Sequence, residues 1–201
     1  TVHFFGLPVI NTVLYSWAIA AAYLLVAFLS PILSSIADYT GLRKAFMKAF
    51  TIIGAAACSA LFFFDKNTIE LGVICFALGT VGYGGSLVFY NSFLPIIASP
   101  AQQDKVSARG YISGYLGGVV LLIINLIVVM QPALFGIADP KLPAKLAFLS
   151  VGLWWWGFST TTFHRLPKYT FGHRVKGKNV ILGGYQELRQ AFELKPGQAK
   201  V

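Results

Sequence analysis

The chain has 201 residues, of which 56% are hydrophobic and only 11% charged, against about 25% charged in soluble globular domains. Its mean hydropathy is +0.69, and its apolar runs are too long and too many for a water-soluble core. The net charge of +9 does not mark a nucleic-acid protein, because the cations sit between and after apolar runs, where they set topology and meet anionic headgroups.

The first residues, "TVHFFGLPVI", carry no basic n-region, so they are not a signal peptide. They read as the interior of something longer. Five apolar runs then follow, each long enough for a bilayer core of about 20 residues. They lie at about 10–34, 45–64, 69–98, 111–130 and 145–163. Short loops make neighbouring runs antiparallel. The expectation is an all-α polytopic transmembrane helix bundle over residues 1–164. A basic cytoplasmic linker over 165–201 follows, in which "YQELRQAF" has the pattern of a short amphipathic surface helix or of a solvated linker. Cys58 and Cys75 lie inside apolar runs without metal spacing, and buried thiols are the default there.

Lysine and arginine are unevenly shared. Arg43, Lys44, Lys48, Lys105, Arg109, Arg165, Lys168, Arg174, Lys176 and Lys178 fall on one side, against Lys66, Lys141 and Lys145 on the other. The first side is therefore expected in the cytoplasm and residue 1 outside.

The third run, "GTVGYGGSLVFYNSF", places Gly79, Gly82 and Ser86 on one face. The fourth, "GYISGYLGGVVLLIINLIVV", repeats Gly110, Gly114 and Gly118 every four residues. Such stripes let another helix backbone approach closely. They serve either static packing or a helix that slides against its neighbour. No Asp, Glu, Lys or Arg lies in the central part of any run, so an intramembrane acid for proton coupling is not visible. The polar groups left at depth are neutral: Tyr90, Asn91, Tyr115 and Asn125. All four are candidates for the wall of a polar substrate cavity, and Asn91 and Asn125 equally suit an interhelical hydrogen bond.

Between the first two runs stands "SSIADYTGLRKAF". Asp38 brings an anion to the interface, Gly41 permits a tight turn, and Arg43 and Lys44 open the next helix. This stretch resembles the signature loop of the major facilitator superfamily, G-x-L-A-D-R-x-G-R-[KR]-x-x-[LF], which joins the second and third helices of those transporters. Ile36, Ala37, Asp38, Gly41, Arg43 and Phe46 match or nearly match; Ser34, Tyr39 and Leu42 depart from it. A second block, "FYNSFLPIIASPAQQDKVSARGYISGYLGGVVLLIINL", resembles the Atg22-like (UMF1) branch. Its Y-N-[SA]-[FY]-L-P and V-S-x-x-G-[YF]-x-x-G-Y-[LI]-G patterns fit Tyr90, Asn91, Leu94, Pro95, Val106, Ser107, Gly110, Tyr111, Gly114, Tyr115 and Gly117. Ile96 stands where many members carry Glu.

The resemblance implies a partial N-terminal half of a major facilitator fold, with the five runs as helices two to six. Helix one and the C-terminal half would be missing partners. It implies alternating-access transport of small solutes, with amino acids the class linked to fungal members, and a bacterial cytoplasmic membrane as the setting. It implies a gate loop of Asp38, Gly41, Arg43 and Lys44, with Asp38 docking on a helix N-terminus of the other half. It implies no cofactor, no metal and no catalysis. The rival reading is a membrane scaffold or an inactive transporter fragment. His3, His164 and His173 have no metal spacing, which argues against an enzyme.

Overall fold

A computed structural model of the chain describes residues 2–167. The linker beyond, with the surface helix expected at 185–192, lies outside the described residues. The chain opens with a hairpin, β1 (Val2–Phe4) and β2 (Leu7–Val9), paired antiparallel with Phe4 opposite Leu7. Phe5 and Gly6 form its two-residue turn, both with positive φ, the backbone that a tight hairpin requires. The sequence reading does not include this hairpin.

The helices are α1 (Asn11–Thr40), α2 (Arg43–Ala60), α3 (Ile69–Asn91), the one-turn α4 (Leu94–Ile97), α5 (Gln103–Met130) and α6 (Leu142–Arg165). The architecture is the all-α transmembrane bundle. Four spans are long and apolar enough to cross a membrane: Asn11–Thr40, Arg43–Phe63, Ile69–Ile97 and Pro100–Met130. The fifth long helix, α6, has 24 residues, about 36 Å of rise, enough to cross by length. Lys145 and the run Ser159–Thr160–Thr161–Thr162 make it less apolar.

Helix α1 continues past Ser34 to Thr40. Pro31 lies inside it and cannot donate to the carbonyl one turn back. The Ser30 hydroxyl donates to that carbonyl, Ala27 O, at 3.4 Å, the kind of repair that lets proline persist in membrane helices. Gly41 ends α1 in the left-handed conformation, φ 70°. Its N–H and that of Leu42 both reach Ala37 O, which satisfies a carbonyl the helix leaves open.

Helix α3 wedges against α1 and α2, and α2 also packs along α6. Small residues make these approaches possible. A Cβ built on Gly82 would stand 2.5 Å from Gly54 Cα, and one on Gly152 would stand 2.6 Å from Ala55 O. The α2–α3 and α2–α6 seams are therefore backbone against backbone. Phe50 lies over Gly85, and Trp155 over Gly54. A buried cluster of Ala37, Met47, Phe89, Phe93 and Phe163 fills the end of the bundle that carries the α1–α2 turn. Phe46 and Phe50 stack on Phe89 at 5.4 and 6.0 Å, within the range of favourable ring pairs. Helix α5 stands apart: it contains no buried residue and touches α6 only lightly.

Candidate functional site: the basic turn and the groove beside α5

The α1–α2 turn organises one end of the bundle. Asp38 sits in the last turn of α1, and Gly41 and Leu42 reverse the chain. Arg43 is the first residue of α2 and donates from Nε to Asp38 Oδ1 at 2.5 Å. A second guanidinium nitrogen, Nη1, donates to Ser92 O at 3.2 Å. Ser92 caps the C-terminus of α3, where the helix dipole favours a cation. Lys44 donates to Leu166 O at 2.6 Å, and Leu166 caps α6. One turn thus ties the ends of four helices. Sequence reasoning treats Arg43 and Lys44 chiefly as interface cations. Their carbonyl partners lie 49 and 122 residues away and leave no local signal. The Asp38 side chain is 44% exposed and that of Arg43 22%, so the carboxylate still meets solvent while the guanidinium is tucked between helices. Lys48, one turn further along α2, stands over the Phe163 ring, 5.3 Å from its centroid, a cation–π contact.

At the opposite end, Asp65 pairs with Lys141 at 3.2 Å. This links the loop before α3 to the loop before α6. The Lys66 N–H, and then Lys141, hold the Asp65 carboxyl below its ordinary range. Glu70 accepts the Phe5 N–H at 3.1 Å and so fastens the hairpin turn to α3.

An open groove of about 650 Å³ runs along the bundle between α3, α5 and α6, with α2 as its floor. Tyr90 and Asn125 line it. Tyr90 is also the residue nearest Gly110: a Cβ there would stand 3.0 Å from its hydroxyl. The Ser150 hydroxyl donates to Asn125 Oδ1 at 2.9 Å, an interhelical bond between α5 and α6. Asn91 lines a narrow crevice beside Phe93, Val106 and Tyr111. Tyr115 is 75% exposed and is not one of the residues that line the groove.

The predicted glycines divide into two groups. Gly82 meets the α2 backbone, Gly79 lies against Cys58 Sγ at 3.6 Å, and Gly110 abuts Tyr90. Gly114 and Gly118 face the groove with nothing within 4 Å of an added Cβ. Gly54 and Gly152 are close-approach residues that sequence reasoning misses. The signal was present as small residues every four positions in α2, at Thr51, Ala55 and Ser59. No residue lining the groove is ionisable to a full charge near neutral pH. Among the described residues, no group of three His, Cys, Asp or Glu could hold a metal ion.

The chain matches the family model described as "Vacuole effluxer Atg22 like" over residues 1–104 and 99–195. It is 27% identical over 185 residues to the uncharacterized MFS-type transporter YxiO of Bacillus subtilis, covering 91% of this chain and 42% of that protein. It is also 27% identical over 182 residues to autophagy-related protein 22-1 of Phaeosphaeria nodorum, covering 73% of this chain and 32% of the relative. The chain thus spans less than half the length of these relatives. No solved structure matches it. Together the matches and the helical bundle identify the chain as a member of the Atg22-like family of the major facilitator superfamily.

Proposed function

We propose that this chain forms part of a membrane transporter that moves small solutes by alternating access, with amino acids as the solute class. The observation that carries the reading is the α1–α2 turn. Asp38 and Arg43 pair across it, and Arg43 reaches the end of α3, so the turn acts as one rigid piece. The exposed side of Asp38 is free to meet a helix N-terminus from the other half of the protein. Such a contact is worth about 0.3–1 kcal/mol exposed and up to ~2 partly buried. That biases two conformations without freezing either. Gly41 supplies the reversal and Lys44 anchors it to α6.

The basic end is assigned to the cytoplasm from the excess of Lys and Arg, and the membrane to a bacterial cytoplasmic membrane, in keeping with the Bacillus relative. Solute contact is proposed for Tyr90, Asn91 and Tyr115 towards the basic end, while Asn125 holds α5 to α6. Transport by conformational change requires no covalent chemistry, which agrees with a site of neutral hydroxyls and amides. The test is uptake of radiolabelled amino acids into proteoliposomes by the complete polypeptide. Uptake above that of empty vesicles supports the proposal. A folded, reconstituted protein without such uptake refutes the solute class.

A further inference from the structure

We propose that the seam between α2 and α6 binds one anionic phospholipid of the leaflet on the basic side, with Lys48 holding the phosphate and an acyl chain lying in the trough below it. A trough of about 230 Å³ runs along this seam, separate from the open groove. Ala56 and Ser59 of α2 and Gly152 of α6 lie along it, and their small side chains leave the space. Ile52, Leu153 and Trp156 form its rims, and all three are exposed. The Ser59 hydroxyl already donates to Ala55 O at 2.9 Å, so the walls offer almost nothing but apolar surface. A hydrocarbon chain suits such walls; a polar solute does not.

A cation stands at the head of the trough. Lys48, Ile52, Ala56 and Ser59 share one face of α2, at the spacing that stacks side chains along a helix. On α6 the rings of Trp156 and Phe163 meet at 6.5 Å, and the Lys48 ammonium lies over the Phe163 ring, 5.3 Å from its centroid. Both helices therefore lead from the trough to the same ammonium. From Lys48 to Ser59 is about 16 Å of helical rise, close to half of the roughly 30 Å hydrocarbon core. A phosphate on Lys48 thus places its acyl chain in the trough within one leaflet.

Charge selects the headgroup. Lys44 and Lys48 are one turn apart on α2, a like-charge spacing that destabilises a helix. Both nevertheless lie against the end of α6: Lys44 donates to Leu166 O at 2.6 Å, and Arg165 stands in the last turn of that helix. Among the described residues the ion pairs are Arg43–Asp38 and Lys141–Asp65, so no described carboxylate is matched to Lys48. An anion at Lys48 offsets the repulsion and neutralises a cation one turn inside the apolar span. A phospholipid with net negative charge supplies it, and a zwitterionic headgroup brings no net charge to do so. The inference goes beyond the transport reading and does not depend on which solute is carried.

Native mass spectrometry of the complete polypeptide tests it, with dioleoyl phosphatidylglycerol and dioleoyl phosphatidylcholine titrated into the detergent. The tightest-bound phosphatidylglycerol should be held about fivefold more weakly by Lys48→Gln than by wild type, the size expected of one cation at an anionic surface. Lys48→Arg, which keeps the charge, should bind as wild type does. Ala56→Trp fills the trough from an exposed position and should weaken binding by a similar factor with Lys48 intact. It also carries the test if Lys48→Gln does not fold, as read from its melting. Phosphatidylcholine should bind more weakly than phosphatidylglycerol to wild type and equally to wild type and Lys48→Gln. Unchanged phosphatidylglycerol binding in folded Lys48→Gln, or in Ala56→Trp, would overturn the site. Displacement of the lipid by inorganic phosphate would make it a plain anion site, and loss of the lipid on self-association would give the trough to a second copy; either overturns the proposal.

Discussion

Gly41 shows how one residue fixes the end of the bundle. Its φ of 70° costs an L side chain roughly 1–2 kcal/mol. Gly41→Ala should therefore lower the stability of the detergent-solubilised chain by about that much, with Gly41→Asn intermediate, as read from thermal unfolding. Equal melting of glycine and alanine would show that the turn is not held as described. Asp65 carries the pH dependence. Its carboxyl is held below its ordinary range, first by the Lys66 N–H and then by Lys141. Its contribution is therefore present above the unfolded value of about 4 and is lost as pH falls through the lower folded value. Melting temperatures of the wild type and Asp65→Asn should differ near neutrality and converge in acid, once pH has fallen through the lowered Asp65 value. A difference that persists unchanged in acid would contradict the pairing. At this scale the sequence made Asp38 and Gly41 visible, because a carboxylate and a glycine between apolar runs have few other uses. The second partners of Arg43 and Lys44 were not visible, because backbone carbonyls carry no residue signature.

Among elements, the deciding quantity is which glycine has a backbone opposite it. Gly82→Ala puts a methyl group 2.5 Å from Gly54 and 2.8 Å from Phe50 O. Helices α2 and α3 would have to separate, at about 1–3 kcal/mol. Gly114→Ala meets nothing and should stabilise the 201-residue chain, by up to about 1 kcal/mol, the difference in helix propensity. Similar losses at both positions would refute the packing described. In the complete polypeptide the larger Gly114→Leu should abolish transport, because it fills the groove. The five long helices were legible from run length alone. Their contacts were not: a helix that is apolar all round has no polar face to say which side is packed. For the same reason the glycine stripes of α3 and α5 look alike in sequence, and only the structure separates a filled seam from an open one. The hairpin was missed because strand β2 contains Pro8, which reads as a break in a strand.

At the scale of the whole molecule, four helix ends meet at one turn, while a groove remains open between α3, α5 and α6. Under the proposed function, the turn is the rigid piece and the exposed side of Asp38 is its contact surface. The proposed function requires that the complete polypeptide transports and that the turn controls its rate. The most direct measurement is the initial rate of radiolabelled amino-acid uptake into proteoliposomes, for the complete polypeptide with the native turn and with Asp38→Asn, at equal reconstituted protein. The account predicts uptake with the native turn and roughly tenfold slower uptake with the variant, the effect of about 1.4 kcal/mol, within the span of one helix-dipole contact. Absence of uptake by the folded native protein, or equal rates for the two, would contradict it.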